Sequence, residues 1–211
     1  MKNFNLILGF MVGTMLGVGL AFFFEYLDNT VKTPEELERF LNLTFLGFVG
    51  RIKAATGSHA AASELITISE PKSNIVEAFR NIRTNILFSS ADFRKKVLVT
   101  TSATMQEGKS LVTANLAVTM AQMGKNVLLV DADLRKPRIH TIFGLDRQPG
   151  LSEYLIGEAS LETAIQDTSV DNLRVLPCGS IPPNPSELLS SEQFAKFIET
   201  VSQRFDIVLF D

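Results

Sequence analysis

Cysteine, histidine and tyrosine are scarce in this chain of 211 residues, and a strong charge of either sign is missing. The single cysteine, Cys178, has no partner for an intrachain disulfide, which points to a reducing compartment. His59 and His140 lie far from it and from each other, so no metal-ligand spacing arises. The formal charge is -3, 20% of residues are charged, and Lys and Arg are scattered along the chain. That gives no basic field, and nucleic acid is not expected as a partner. Tyrosine occurs only as Tyr26 and Tyr154.

One long apolar run is present. Asn5 to Phe24 contains no charged residue, which is the length a helix needs to span a hydrocarbon core of roughly 30 Å. A secretory signal peptide is the competing reading, but the run is long and no Ala-x-Ala-like site precedes a polar start. Gly9, Gly13 and Gly17 share one helix face and leave room for another helix. Loop charge does not fix the orientation, since Lys2 stands on one side and Lys32, Arg39, Arg51 and Lys53 on the other among acids. A nucleotide site needs the cytoplasm, so the C-terminal part is placed inside.

Beyond this segment the chain is long enough for one α/β domain but not two. Thr33-Pro34-Glu35-Glu36 forms an N-terminal cap signature and predicts a short helix to about Leu41. Residues 54–63 are small and polar and read as a linker. Expected boundaries are 1–27 for the membrane helix, 28–68 for the juxtamembrane segment and linker, and 69–211 for the soluble domain. Ile75, Phe79, Ile82, Ile86 and Leu87 recur at helical spacing ahead of a strand, Val97-Leu98-Val99-Thr100. A helix from Ser110 to Met123, ended by Gly124, precedes a second strand, Val127 to Val130. Asn172 to Leu176 and Ile207 to Phe210 predict further strands, with helices near 151–154, 161–165 and 193–201. Asn184-Pro185 caps one more. The strands are continuous apolar runs, as in a parallel sheet covered on both faces. The expected class is α/β, a phosphate-binding-loop sheet with helices on both faces behind one transmembrane helix.

The chemistry lies in two motifs. Gln106-Glu107-Gly108-Lys109-Ser110-Leu111 follows a strand and opens a helix, so backbone N–H groups at a helix N-terminus can converge on phosphate. Gly108 allows close backbone approach, Lys109 reaches the β and γ phosphates, and Ser110 is a ligand for Mg²⁺. The full loop pattern asks for glycine five positions before Gly108, where Ala103 stands. Leu128-Leu129-Val130-Asp131-Ala132-Asp133-Leu134-Arg135 then delivers two carboxylates at a strand's carboxyl edge, where open α/β sheets bind ligands. One suits the metal's water shell and the other an attacking hydroxyl. The strand 206–210 delivers Asp211 to a metal-supporting position. ATP and Mg²⁺ are the expected cofactors.

These motifs, in this order, resemble the bacterial tyrosine autokinases of capsular and exopolysaccharide biosynthesis. The likeness runs from Glu25-Tyr26-Leu27-Asp28-Asn29-Thr30-Val31 through Glu77-Ala78-Phe79-Arg80-Asn81-Ile82-Arg83-Thr84-Asn85. It continues through Thr101-Ser102, the loop, Asn115-Leu116-Ala117, Asp131 to Arg135 and Pro182-Pro183-Asn184-Pro185 to Asp211. The resemblance implies γ-phosphoryl transfer to tyrosine at an inner-membrane, cytoplasm-facing ring tied to polysaccharide polymerisation and export. It implies that Asp131 activates the acceptor tyrosine, with Lys109 and Asp133 as its catalytic companions. Ser110, Asp131 and Asp211 are the expected metal-holding groups, Asp133 also supporting the metal. Glu77, Arg80 and Arg83 are implied to dock on a neighbouring subunit of a homo-oligomer.

The chain departs from that family in three places. Met105-Gln106 stands where a proline and a glycine are usual, leaving the loop one glycine short. A first membrane helix and periplasmic domain would lie before Met1. A tyrosine-rich tail would lie beyond Asp211, so the chain reads as a C-terminally incomplete fragment. Two other readings stay open: a nucleotide-binding scaffold that sets polysaccharide length without catalysis, and a membrane-associated partitioning ATPase. Ala103-Thr104 lacks the extra loop lysine that the latter class uses.

Overall fold

Val127 to Val130 and Ile207 to Phe210 carry apolar side chains at every position, so neither strand has a face that water could cover. The computed structural model describes residues 2–28, 33, 35, 38, 39, 42–52, 64–89, 96–104 and 106–211. In chain order its elements are α1 (Lys2–Leu27), α2 (Ile66–Ser69), α3 (Asn74–Phe88), β1 (Lys96–Val99), α4 (Lys109–Ala121), β2 (Val127–Val130), α5 (Ile139–Phe143), α6 (Leu151–Leu155), α7 (Leu161–Ala164), β3 (Gln166–Asp167), β4 (Leu173–Leu176), α8 (Pro185–Leu189), α9 (Glu192–Arg204) and β5 (Ile207–Phe210). The chain divides into two compact units, 1–45 and 46–211.

In the first unit, α1 has 26 residues and a mean hydropathy of 2.2 over its most apolar window, none of which is buried against protein. By length and composition it is able to cross a membrane. Thr14 Oγ1 donates back to Phe10 O at 2.8 Å, so its hydroxyl needs no outside partner. A Cβ built on Gly9, Gly13 or Gly17 meets nothing within 4 Å. The expected helix through Glu38 to Leu41 and the linker at 54–63 lie outside or largely outside the described residues.

The second unit is built on a five-stranded sheet of order β1-β5-β2-β4-β3. The pairs β1–β5, β5–β2 and β2–β4 are parallel, and β3 pairs antiparallel with β4. Successive side chains alternate between the faces. Val127 and Leu129 point into a core shared with α3 and α4, and Leu128 and Val130 into one shared with α6, α7 and α9. Helices thus cover both faces, as the sequence pattern predicts. Three elements go beyond that pattern: α2, α5 and β3 have too few residues to repeat a period. One expectation is corrected. Among the described residues strand β1 is not covered on both faces: it is an edge strand, with Val97 42% and Val99 76% exposed.

Helix α4 is buried continuously from Thr113 to Ala121 and is the central helix of its layer. Leu46 and Val49 pack on the core at α3 and α4, and Asn85 Nδ2 on α3 donates to Leu46 O at 2.8 Å. Asn115 on α4 ties the segment before α3 in place. Its Oδ1 accepts from Thr67 N at 3.1 Å and Thr67 Oγ1 at 2.9 Å, and its Nδ2 donates to Glu64 O and Leu111 O, each at 2.9 Å. Buried amide groups left without these partners carry a penalty of about 1–3 kcal/mol. Asn115→Ala is therefore expected to destabilise the protein by about 2–3 kcal/mol, read as a fall of several degrees in the thermal unfolding midpoint. An unchanged midpoint would show that water replaces the amide without loss.

Candidate nucleotide-binding site

The site is assembled at the carboxyl ends of β1, β2 and β5. Residues 100–104 leave β1 and residues 106–108 lead into the first turn of α4, with Gly108 as N-cap at φ +89°. That left-handed conformation suits glycine, and a Cβ there would meet nothing within 4 Å, so backbone geometry alone selects the residue. Gln106 lies at φ +66°, also left-handed, although it carries a side chain. The sequence departure at this position is thus a residue held where glycine would sit without strain. Thr104 Oγ1 donates to Glu107 Oε1 at 2.7 Å, and Ser102 Oγ to Thr104 O at 3.0 Å, so the loop is braced from within. The bond from Thr104 holds the exposed Glu107 carboxyl below its ordinary range.

Val130 of β2 lies opposite Phe210 of β5, so Asp131 and Asp211 emerge side by side on adjacent strands. Asp211 N donates to Val130 O at 2.9 Å and continues that ladder. Lys109 Nζ stands 3.4 Å from Asp211 Oδ2 and 3.8 Å from Asp133 Oδ2. Asp133 Oδ1 accepts from Arg135 N at 3.2 Å and Lys136 N at 2.9 Å. Asp131 is fully buried. Its Oδ2 accepts from Ile139 N at 3.0 Å and its Oδ1 has no hydrogen-bond partner, nor has Asp211 Oδ2. Burial pushes the Asp131 carboxyl up to about 7, helped by the neighbouring Asp211 and Asp133 charges and opposed by the Ile139 N–H.

Two cavities meet here. One of about 950 Å³ is lined by the loop, by Gln106, Gly108, Lys109, Ser110 and Leu111, and on its far side by Glu64, Lys136 and Arg138. Glu64 and Arg138 form an ion pair at 2.9 Å on that side. The other, of about 430 Å³, has an apolar wall of Val99, Leu134, Leu189 and Phe210. Ser102, Lys109 and Asp133 line both. The structure therefore brings Gln106, Glu107, Gly108, Lys109, Ser110, Leu111, Asp133 and Asp211 together, and sets Asp131 just behind them. Glu77, Arg80 and Arg83 lie elsewhere, on α3. Glu77 and Arg80 pair with each other, whereas Arg83 Nη1 donates to Thr119 O at 2.8 Å in the last turn of α4. Sequence reading missed Thr113, whose hydroxyl reaches Asp211. Its place one turn after Lys109 was the available signal.

A phosphate-binding loop between a parallel strand and a helix, with its lysine facing strand-end carboxylates, defines a nucleoside-triphosphate-binding protein of the P-loop class. The AAA domain family matches residues 105–211. The chain is 48% identical over 147 residues to tyrosine-protein kinase YwqD of Bacillus subtilis (strain 168), covering 70% of this chain and 62% of that protein. It is 37% identical over 218 residues to tyrosine-protein kinase ptk of Acinetobacter johnsonii, covering 98% of this chain and 29% of that one. The kinase domain of Escherichia coli tyrosine kinase ETK superposes with a TM-score of 0.76 at 30% identity, over 86% of this chain and 73% of that one. The BceF tyrosine kinase domain superposes at 0.77 and 37% identity, over 86% and 76%. The chain belongs to the AAA domain family and, within it, to the bacterial tyrosine-protein kinases, as the resemblance in its motifs implied. It spans less than two thirds of YwqD and under a third of ptk.

Two outcomes follow from this geometry. Gln106→Gly removes the strain of a side chain in the left-handed region and is expected to stabilise the fold by about 1 kcal/mol. A lower thermal midpoint in the variant would contradict this. Asp131 has a folded-state pKa above its unfolded one, so the stability associated with its acid form is full below about pH 4 and is lost as pH rises toward 7. Asp131→Asn should accordingly raise the unfolding midpoint of ligand-free protein by several degrees at pH 8 and progressively less toward pH 4. A gain that does not vary with pH would rule the explanation out.

Proposed function

We propose that this chain carries an ATP-dependent protein-tyrosine kinase domain that transfers the γ-phosphoryl group to tyrosines of a neighbouring copy. The observation that carries the reading is Lys109, poised between Asp133 and Asp211 on the wall common to the two cavities. The larger cavity takes the nucleotide phosphates against the backbone N–H groups at the α4 N-terminus. The smaller, with its apolar wall, takes the acceptor ring and presents its hydroxyl at the shared wall. Without nucleotide, Lys109 neutralises the two carboxylates, and it turns to the phosphates when they arrive.

The residues present fit Mg²⁺. Asp211 Oδ2 is a buried oxygen without a hydrogen-bond partner, 3.4 Å from Lys109 Nζ, and Asp211 lines the smaller cavity, while Lys109 lines both. No cluster of three or more potential metal-holding His, Cys, Asp or Glu side chains occurs among the described residues, and this cation needs only one or two carboxylates. When bound, Mg²⁺ supplies charge neutralisation to the transferring phosphoryl group. Ser110 and Asp211 hold it in this reading, and Asp133 orders its water. Asp131, with its carboxyl raised to about 7, is suited to take the acceptor proton near neutral pH.

The domain reading is a membrane helix over 1–27, a juxtamembrane segment over 28–68 and the kinase domain over 69–211. In the cell we place the kinase on the cytoplasmic side of the inner membrane, governing capsule or exopolysaccharide polymerisation and export. Glu77 and Arg80 are the exposed part of the proposed ring contact, while Arg83 serves it indirectly by fixing α3 on α4. The scaffold reading draws support from one observation, the strained Gln106 in the phosphate loop.

The test supplies a tyrosine-containing acidic polymer and Mg-ATP to the chain and follows phosphotyrosine. Lys109→Ala is expected to lower phosphotransfer at least about 100-fold, and to abolish polysaccharide export in cells. Nucleotide binding without any phosphotyrosine, with export untouched by Lys109→Ala, would replace the kinase by the scaffold.

A further inference from the structure

We propose that Thr113 is a positioning residue for Asp211, fixing which oxygen of that carboxylate faces Lys109 on the wall of the smaller cavity. Thr113 lies on α4 one turn beyond Lys109 and is fully buried. Its hydroxyl is 2.9 Å from Lys109 O and 3.1 Å from Asp211 Oδ1. A hydroxyl has one proton and can satisfy only one of these acceptors at a time. The Lys109 carbonyl already accepts the Thr113 backbone N–H as part of the α-helix. The carboxylate oxygen has no such helical donor, and a bond to a charged acceptor is the stronger of the two. The proton therefore goes to Asp211 Oδ1. Pinned there, the carboxylate cannot rotate freely, and Oδ2 is left buried, without a hydrogen bond, 3.4 Å from Lys109 Nζ.

Thr113 touches neither cavity and acts only through Asp211. It couples two parts of the site that arrive from distant sequence, the helix carrying the phosphate loop and the strand β5 carrying the carboxylate. Partners of this kind, one bond removed from a metal-holding group, typically change metal affinity by about 10–100-fold when removed. The proposal rests on the reading that Asp211 supports Mg²⁺.

The experiment measures binding of a fluorescent ADP analogue to the full chain in detergent, first in EDTA and then across a Mg²⁺ titration. For Thr113→Val, the Mg²⁺ concentration giving half the metal-dependent enhancement should rise about tenfold, with metal-free affinity unchanged. Thr113→Ser should keep the wild-type dependence, because it restores the hydroxyl. In an Asp211→Asn background, Thr113→Val should add nothing further. Thr113→Ala carries the same test if the valine variant does not fold. A wild-type Mg²⁺ dependence in Thr113→Val, an equal loss with and without metal, or an additive effect on top of Asp211→Asn would each overturn the proposal. If Asp211→Asn alone leaves the Mg²⁺ dependence unchanged, the metal reading of Asp211 falls and takes the positioning role with it. If Asp211→Asn shifts it and Thr113→Val does not, only the positioning role falls.

Discussion

The register of β2 against β5 is the constraint on which the site depends. Once Val130 pairs with Phe210, the next residue of each strand is an aspartate, and two carboxylates emerge next to each other where water scarcely reaches. Side by side in a poorly solvated place the like charges repel, and the Asp211 charge adds to burial in raising the proton affinity of Asp131. The fold answers with three donors. The Lys109 ammonium comes from the helix after the loop, the Thr113 hydroxyl from one turn further on, and the Ile139 N–H from the start of α5. Two of the three are on α4, so the phosphate loop is held against the sheet by the same charges it is built to use.

The position of α4 in the core makes this workable. A helix buried over most of its length has little freedom to shift, because packed interiors transmit displacement instead of absorbing it. Asn115 fastens Glu64 and Thr67 to the second turn of that helix, and Arg83 closes a free carbonyl in its last turn. Leu46, Val49 and Ile52 pack on the same layer, so the compact unit that holds the site includes chain well ahead of α3. Among the described residues the edge strand β1 has no such cover, and its exposed Val97 and Val99 contrast with the fully buried β2.

Much of this was legible in the residues. Continuous apolar runs marked β2, β4 and β5, helical spacing marked α3, and the loop motif with Asp131 and Asp133 marked the site, since each is a local pattern with a local cause. What stayed hidden was non-local or too short. An edge strand and a central strand have similar compositions, and only sheet order leaves β1 exposed. Two-residue β3, four-residue α2 and five-residue α5 are too short to repeat the period that would reveal them. Arg83 looked like its neighbours Glu77 and Arg80, because a helix face read from sequence does not say which of its charges meets another helix. Asp131 and Asp133 looked equivalent, yet one is buried with a raised pKa and the other lines both cavities.

The split between those two aspartates follows from β-strand geometry more than from their chemistry. At the end of a strand, alternate residues share a side, but the chain leaves the sheet after Val130, so the two carboxylates sit at different depths. Asp131 continues the buried strand and is held by a backbone N–H from α5. Asp133 sits in the following turn, where Arg135 N and Lys136 N donate to its carboxylate at the cavity wall. A deep carboxyl with a proton affinity near neutrality and a shallow one braced by backbone donors and open to both cavities are the two environments that acid–base work and cation binding separately require. One short stretch, Asp131-Ala132-Asp133, supplies both because the strand ends just before it.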